Sequence, residues 1–252
     1  MPMAMVLRQT VKRYPALLWA ARRARALERF GLRWTARVRR QAMLERYLAT
    51  HAVRKLQIGS LGQPLPGWLN CDIAPTDWQT VYLDATQRFP MPAGSFDAVF
   101  AEHMIEHIPY AAGLRMLREC CRILKPGGRI RIVTPRLGFL FEMLQAPSPA
   151  QLRYLRFTRD EYLPEVPADE PSFVVNNMFY NYGHRFIYDE RTLVGALAAA
   201  GFSAIVQGRT CASDDPNFQG VDQHWKLVGR EMNDVESMVF EATKPCAASP
   251  AS

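Results

Sequence analysis

The stretch from Ser95 to Pro135 constrains the fold of this 252-residue chain more than any other. It begins with a short, largely apolar run, Phe96–Ala101, which is typical of a strand buried on both faces. Apolar residues then recur at the three- and four-residue spacing of a helix, namely Leu114, Leu117, Cys121 and Leu124. Pro126 and the glycines after it end that helix, and an apolar strand follows from Ile130. A strand, helix and strand in this order predict a right-handed crossover in an open α/β sheet.

The segment between this strand and this helix is polar, with the sequence EHMIEH from Glu102 to His107. Ligands bind at the carboxyl ends of strands in open α/β sheets. His103 is therefore either a packing residue or a catalytic one, because an imidazole can accept a proton near neutral pH. His103 and His107 also have the spacing of metal ligands, but the sequence indicates no third ligand, so we expect no metal site. We expect His107 to pack against the following helix.

Two parts of this region, SFDAVFAEHMIEHI and ILKPGGRIRIVTP, resemble the second half of the class I S-adenosylmethionine (SAM)-dependent methyltransferases. The closer resemblance is to bacterial methyltransferase-domain proteins associated with the assembly of glycans and cell-surface polysaccharides. It covers roughly residues 55–243. The resemblance implies an α/β fold with a doubly wound, mostly parallel, seven-stranded Rossmann-like sheet, and SAM as the cofactor. Further strands are expected at residues 54–58, 68–73, 80–84, 202–206 and 237–243, and a further helix at 189–200.

The turn after the first expected strand carries Gly59, Ser60 and Gly62, which we expect to bind the cofactor. Glycine suits a place where the backbone approaches a ligand closely, because a side chain there would collide with it. The sequence departs from the resembling family at this turn. If Gly59 is the first glycine of the family's Gly-x-Gly pattern, Leu61 stands where the second belongs. Gly62, one position later, could compensate by shifting the turn.

Two aspartates end the next two expected strands. By resemblance, Asp72 occupies the position of the ribose-binding acid, and Asp84, followed by Ala85, that of the acid facing the adenine. Either aspartate could instead form a turn or cap a helix. Glu102 is the remaining expected cofactor contact, because it begins the loop under the expected position of the sulfonium.

Residues 136–188 contain several prolines and many aromatic residues, and we expect a folded insertion or lid there. His184 lies near its end, where the resemblance implies a histidine folded over the active site. A base there suits methyl transfer to a hydroxyl group, because the nucleophile loses a proton as it attacks. His184 is therefore the second candidate catalytic residue, with local packing as its alternative.

Asp222 and His224 form a weaker polar pair on the last loop. Nearby polar side chains could bind a hydroxylated acceptor: Asn176, Asn177, Tyr180 and Asn181.

Residues 1–54 differ from the rest of the chain in charge. Residues 1–55 contain 14 of the 31 Lys and Arg residues against two acids, so the remainder is mildly acidic. From about residue 14 to residue 50, apolar and arginine stripes lie on nearly opposite sides of one helix, which Gly31 could interrupt. Such a helix can lie on an anionic membrane surface, or pack on its own domain with the arginines solvated. A transit peptide and non-specific nucleic-acid binding are further interpretations of the charge; we expect no specific nucleic-acid partner.

The remaining composition bears on compartment and domain organisation. Five cysteines without a CxxC pair indicate reduced thiols in a cytoplasm, and no apolar run approaches the length of a membrane span. We expect a cytoplasmic protein, or one that is peripheral on the inner membrane through residues 1–54. The expected units are a helical extension (1–54), a catalytic domain (55–244) and a disordered tail (245–252).

These observations and the resemblance predict a SAM-dependent methyltransferase that methylates an oxygen of a sugar or glycan-type acceptor. One alternative acceptor is a small natural product or a quinone-like lipid. A different class of function is a non-catalytic scaffold of the same fold within a membrane-surface assembly. Leu61 favours the scaffold, whereas Asp72, Asp84 and the EHMIEH segment count against it.

Overall fold

The computed structural model describes residues 15–163, 165–166 and 169–246. The first fourteen residues of the expected extension lie outside this description, as do the side chains of residues 15–22 and 24–29 on the first helix. The expected disordered tail at 245–252 also lies outside it, apart from its first two residues.

A single seven-stranded sheet forms the centre of the molecule, in the order β3-β2-β1-β4-β5-β7-β6. Its strands are β1 (Lys55–Ile58), β2 (Leu69–Asp72), β3 (Val81–Tyr82), β4 (Phe96–Glu102), β5 (Leu124–Pro135), β6 (Ser203–Gln207) and β7 (Ser237–Thr243). All pairs are parallel except those of β7, which runs antiparallel to β5 and β6. The predicted fold, a doubly wound and mostly parallel seven-stranded sheet, is confirmed.

Helices cover the two faces of this sheet. They are α1 (Pro15–Thr50), α2 (Tyr110–Ile123), α3 (Leu137–Gln145), α4 (Pro149–Tyr162), α5 (Pro171–Tyr180), α6 (Glu190–Ala199), α7 (Trp225–Val228) and α8 (Arg230–Glu236), with one 3-10 turn at Ile105–His107. The crossover helix α2 and the helix α6, capped by Asp189, lie where the sequence predicted them. Helix α1 continues through Gly31 without a break. The sequence did not indicate the short helices α7 and α8.

Helix α1 replaces a crossover helix that the sheet lacks. Residues 59–68, all of them described, connect the parallel strands β1 and β2 without any helix. The sheet face left open there is covered by Leu44 and Tyr47 of α1, which belong to the main hydrophobic core. The Tyr47 hydroxyl also accepts a hydrogen bond from the Lys55 backbone N–H, 2.8 Å away. The carboxyl-terminal half of α1 is therefore part of the core of the domain.

The expected insertion at 136–188 contains the three helices α3, α4 and α5, which have a hydrophobic cluster of their own. Its last segment is attached to the loop after β4, because the backbone N–H groups of Arg185 and Phe186 both donate to the carbonyl of Glu106. Among the described residues, no helix has the length and apolar character needed to cross a membrane.

A buried ion cluster connects the sheet to the loop between β6 and α7. Arg131 on β5 is fully buried and donates to Asp222 on that loop and to Glu241 on β7, both nearly inaccessible. Its remaining donors reach the carbonyls of Arg209 and Ala212. The cluster holds this loop, in which Asp222 lies two residues before His224, against the sheet.

Candidate functional site

A cavity of about 560 Å³ lies at the carboxyl ends of β1, β2, β3 and β4. This volume is within the range of about 300–1,000 Å³ that is usual for small-molecule sites. The lining residues are Arg33 of α1, Ile58, Gly59 and Leu61, residues 72–76, residues 83–86, and His103, Met104, His107 and Ile108. The sheet therefore brings five of the expected site residues to one cavity: Gly59, Asp72, Asp84, Ala85 and His103.

The turn after β1 holds Leu61 in an unusual backbone conformation. Leu61 adopts a left-handed backbone with φ +46°, a conformation that costs an ordinary residue about 1–2 kcal/mol. Its backbone N–H donates to a carboxylate oxygen of Asp72 at 2.9 Å, which offsets part of that strain. Gly59 is also left-handed, and a Cβ built on it would lie 2.5 Å from Cγ of Met104. Gly59, Leu61 and Gly62 of this turn therefore all have a left-handed backbone, and only Leu61 carries a side chain there.

Asp72 ends β2 beside the cavity, whereas Asp84 lies two residues after the end of β3, which is shorter than the expected strand at 80–84; both aspartates also organise their own loops. One oxygen of Asp72 accepts from Leu61, and the other accepts from the Ala74 backbone N–H at 2.8 Å. Asp84 accepts from the backbone and the hydroxyl of Thr86, a cavity residue. The turn-forming role that the sequence left open is therefore real for both residues. It coexists with a place on the cavity wall.

Three expected cofactor contacts do not line the cavity. Ser60 is buried beneath the turn, and Gly62 faces Thr76 with a left-handed backbone. Glu102 points away from the cavity, where its carboxylate accepts hydrogen bonds from the backbone N–H groups of Gln223 and His224 at 2.8–3.1 Å. Burial raises the pKa of Glu102, and these two amides act in the opposite direction. Glu102 therefore positions the loop that precedes α7.

Two histidines, His103 and His107, are among the residues that line the cavity. His103 has a left-handed backbone with φ +45°, an unusual conformation for a residue other than glycine and one that clusters at functional sites. Its ring lies 3.4 Å from the buried carboxylate of Glu106 and 3.0 Å from the hydroxyl of Ser237. Burial lowers the pKa of His103, but the carboxylates around it, Glu106 first, raise the pKa by more. His107, which we expected to pack against α2, lines the cavity.

His184 does not line the cavity but adjoins its wall. Its ring meets that of His107 edge to face, with 4.9 Å between the ring centroids, and its Nδ1 is buried without a hydrogen-bond partner. Burial lowers the pKa of His184 below its ordinary value. Burial therefore favours the neutral form of this ring, and Nδ1 is enclosed beside His107.

The structure adds polar residues to this region that the sequence did not single out. Glu236 at the end of α8 and Ser237 at the start of β7 lie beside His103, and His224 stacks on the His103 ring with 3.7 Å between centroids. His224 had been noted only as part of a weak pair. No local pattern could have found this group, because His103 is separated from the other three by more than a hundred residues of chain and meets them only through the order of the strands.

A family model described as a methyltransferase domain matches residues 70–132 of the chain. The match spans about a quarter of the sequence and includes Asp72, Asp84 and the EHMIEH segment, but it begins after the Gly59 turn. A comparison with curated protein sequences found no match.

Solved structures with related folds include SAM-dependent methyltransferases. Phosphoethanolamine N-methyltransferase 2 of Haemonchus contortus, in complex with S-adenosylhomocysteine, is 17% identical, with a TM-score of 0.44 over 82% of this chain and 52% of that chain. This chain therefore spans about half the length of that protein. A SAM-dependent methyltransferase of Archaeoglobus fulgidus is 17% identical, with a TM-score of 0.46 over 81% of this chain and 92% of that chain. The [4+2]-cyclase SpnF is 17% identical, with a TM-score of 0.43 over 82% and 80%. Similarity at this level carries no information about a substrate.

Proposed function

We propose that this chain is a SAM-dependent methyltransferase that methylates a hydroxyl group of a sugar or glycan-type acceptor. The observation that carries the proposal is the composition of one cavity at the carboxyl edge of the sheet. The cavity is lined by the backbone of Gly59 and by the carboxylates of Asp72 and Asp84, which lie at or just after the ends of the neighbouring strands β2 and β3. The match of the methyltransferase-domain model to residues 70–132 supports the same reaction.

In this proposal, the parts of SAM lie along the cavity in a definite order. The apolar side chains of Ile73 and Leu83, close to Asp84, suit an adenine ring, and the carboxylate of Asp72 suits the two ribose hydroxyls. The methionine part would lie beside the backbone of Gly59, which lines the cavity and packs so closely against Met104 that a Cβ there would collide with it. When bound, the cofactor supplies an electrophilic methyl group. The protein's tasks are then to align the acceptor, exclude water and accept a proton.

The proton acceptor in this proposal is His184, with His103 as the second candidate. A hydroxyl group that accepts a methyl group must lose its proton, and Nδ1 of His184 has no partner and can hold that proton. The His107 ring lies between His184 and the cavity, so the acceptor would enter beside His107. The sugar class of acceptor rests on the resemblance and on the polar side chains of the insertion. Small natural products, quinone-like acceptors and a scaffold role remain the competing hypotheses.

Methyl transfer from isotopically labelled SAM tests the proposal. The full chain would be incubated separately with a pool of hydroxylated glycans and nucleotide sugars, and with a pool of phenols and quinones. We expect base-stable label in the first pool. Label in the second pool alone would contradict the proposed acceptor class. Binding of S-adenosylhomocysteine without transfer to either pool would favour the scaffold.

His184→Gln is expected to reduce kcat for the glycan acceptor by about 100-fold or more, the usual contribution of a general base. The affinity for S-adenosylhomocysteine should stay within about twofold, because His184 does not line the cavity. In the unmodified protein, activity should fall as the pH drops through the pKa of His184, which burial places below the ordinary histidine value. His51→Gln, at the end of α1, is the matched control. Equal rates for the two variants would show that His184 only packs.

We also propose that α1 lies against an anionic membrane surface, which would make the protein cytoplasmic and peripheral on the inner membrane. Three large apolar side chains lie one turn apart on α1, and all are more than half exposed: Phe30, Trp34 and Val38. Trp78, 60% exposed, lies beside them under the guanidinium of Arg39. An apolar stripe with flanking arginines is the pattern of an interfacial helix. Arg37 instead donates to the hydroxyl of Tyr82 and holds α1 on the domain.

Flotation with vesicles that contain anionic lipid tests this surface. Deleting α1 would also remove Leu44 and Tyr47 from the core, so substitutions are the better probe. The double variant Trp34→Ser, Val38→Ser should float several-fold less than the unmodified protein, because each buried apolar side chain contributes about 1.5–3 kcal/mol. Phe141→Ser, which changes an exposed residue of the insertion, should float normally. The proposal fails if both variants float equally or if neutral vesicles bind as well.

A further inference from the structure

Four of the chain's five histidines meet in one place, at the junction of the sheet edge, the insertion and the last loop. They are His103, His107, His184 and His224. Three glutamates with little exposure lie among them, namely Glu102, Glu106 and Glu236. Imidazoles and carboxylates are the ligands of zinc and related divalent metals. Neither the cavity assignment nor the methyltransferase-domain match accounts for the pairing of His224 with Glu236.

The His224–Glu236 pair has the geometry of two ligands without an ion. Nε2 of His224 lies 3.5 Å from Oε2 of Glu236. Neither atom forms a hydrogen bond of good geometry, and both are shielded from solvent. Two ligand atoms at about 2.1 Å from a tetrahedral ion lie roughly 3.4 Å apart. Glu236 is 4% exposed, and apart from His224 the side chain of Tyr154 is its polar neighbour, so a cation would add a partner to a buried carboxylate.

His103 supplies the third donor to this pair. One ring nitrogen from each histidine and one oxygen of Glu236 lie within 4.8 Å of one another. The hydroxyl of Ser237 lies 3.0 Å from Nε2 of His103, and that hydroxyl donates to the side-chain oxygen of Asn233. Such outer contacts fix the ring of a metal-bound histidine. The three donors come from the end of β4, the start of α7 and the end of α8.

The surroundings of this position are acidic. The carboxylates of Glu102, Glu106 and Glu236 lie around the stacked rings of His103 and His224, whose centroids are 3.7 Å apart. Carboxylate oxygens and imidazole nitrogens together are a ligand environment that suits a divalent ion of the zinc class.

We propose that His103, His224 and Glu236 bind one divalent transition-metal ion of the zinc class, with the fourth position open to water or a ligand. Two histidines and a glutamate with an open position are the ligand set of several catalytic zinc sites. Binding requires at least one of the stacked rings to rotate about its Cβ–Cγ bond, because parallel rings cannot both aim a lone pair at one ion. Glu102 holds the backbone of His224 in place through two amides, so its carboxylate acts as a positioning group.

The inference rests on these side chains and not on the proposed methyl transfer. It also differs from our expectation of no metal site, which considered only the H-x-x-x-H pair. His107 belongs to a second group, with Glu106 and His184. That group provides a control, because it has the same residue types, lies next to the proposed site and shares none of its ligands.

Metal binding by the purified full chain tests the proposal. The protein would be stripped with a chelator and titrated with Zn²⁺ against a chromophoric competitor, and with Co²⁺ by visible absorption. We expect one ion per chain and a Co²⁺ spectrum of a four-coordinate site. His224→Ala and Glu236→Gln should each weaken Zn²⁺ binding by at least about 10-fold. His184→Ala should leave both the stoichiometry and the affinity unchanged.

Controls distinguish a loss of metal binding from a loss of folding and from binding at the second group. Circular dichroism and the urea midpoint of each stripped variant show whether it is folded, and Glu236→Gln keeps the shape of the side chain if His224→Ala does not fold. Binding of less than a tenth of an equivalent by the unmodified chain would overturn the proposal. So would loss of binding in His184→Ala with normal binding in His224→Ala, since that result assigns the ion to the second group. Binding of S-adenosylhomocysteine is measured in a separate titration, so the proposed methyl transfer and the proposed metal site can each fail without the other.

Discussion

Asp72→Ala should weaken the binding of S-adenosylhomocysteine by about 100-fold, measured by titration calorimetry. A hydrogen bond to a charged group contributes about 1.5–3 kcal/mol, and about 1.4 kcal/mol corresponds to a tenfold change in affinity. The substitution removes the proposed contacts to the ribose hydroxyls. It also releases the backbone N–H groups of Leu61 and Ala74, which the same carboxylate holds at 2.9 and 2.8 Å. Both effects reduce affinity, because both act on the cavity wall.

Two further variants separate the contact from the turn. Asp72→Asn keeps one side-chain oxygen for a backbone N–H but loses the charge, and we expect about a 10-fold loss. Asp77→Ala removes a carboxylate that holds Gln79 and Thr80 in the same loop without lining the cavity. Its affinity should be close to that of the unmodified chain. Equal losses for Asp72→Ala and Asp77→Ala would mean that loop order, not ribose recognition, is being measured.

Arg131→Met should lower the free energy of unfolding by about 3–5 kcal/mol, measured by urea denaturation. Removing one partner of a buried ion cluster leaves the others charged and unpaired in the interior. Arg131 is fully buried and uses its donors on Asp222, Glu241 and two carbonyl groups. Methionine fills most of the volume but satisfies none of these acceptors, so the effect is electrostatic rather than a cavity.

Arg129→Met is the matched control for this change. Arg129 is the neighbouring arginine of β5 and pairs with Asp215 and Glu241, but its side chain is 28% exposed. Because Arg129 is partly exposed, solvent can replace part of its interaction, so the loss should be smaller than that of Arg131→Met. A loss below about 1 kcal/mol for Arg131→Met would contradict the account of the cluster. The triple change Arg131→Met, Asp222→Asn, Glu241→Gln should recover part of the lost stability.

The fold could be predicted from the sequence where the determinants are local. The run from Phe96 to Val133 has a strand pattern, a helical pattern and a proline–glycine stop in order, and the structure has β4, α2 and β5 there. Asp189 was expected at the amino end of a helix and caps α6 through the Thr192 N–H. The short helices α7 and α8 were missed because their stretch is polar and lacks a helical period. Contacts with the sheet, such as those of the fully buried Asn233, stabilise them.

The role of α1 could not be predicted for a similar reason. Its arginine stripe and its length were evident, but the missing helix between β1 and β2 was not. A sheet face without its crossover helix must be covered by something else, and Leu44 and Tyr47 cover it. Arg33 then reaches the cavity and donates to the carbonyl of Ile73 at 3.1 Å. This contact depends on the tertiary position of α1 and leaves no pattern in the sequence.

The residues of the candidate site also differ in whether local sequence or tertiary structure determines their position. Strand-end residues such as Asp72 and Asp84 could be placed because parallel strands end at one edge of a sheet. Glu102 also ends a strand, but alternate residues of a strand point to opposite faces, and its side chain points to the loop of His224 instead of the cavity. The histidine group required the return of the chain through the insertion and β7, so no spacing in the sequence could indicate it.

Titration calorimetry of the unmodified full chain with S-adenosylhomocysteine tests the central claim most directly. The cavity beside Gly59, Asp72 and Asp84 should bind one molecule per chain with micromolar or tighter affinity, despite the leucine at position 61. The affinity should be independent of any metal at His103, since the part of the cavity proposed to hold the cofactor lies beside Asp72 and Asp84. No binding at high micromolar ligand concentration would contradict the assignment of this cavity to SAM, and with it the proposed reaction.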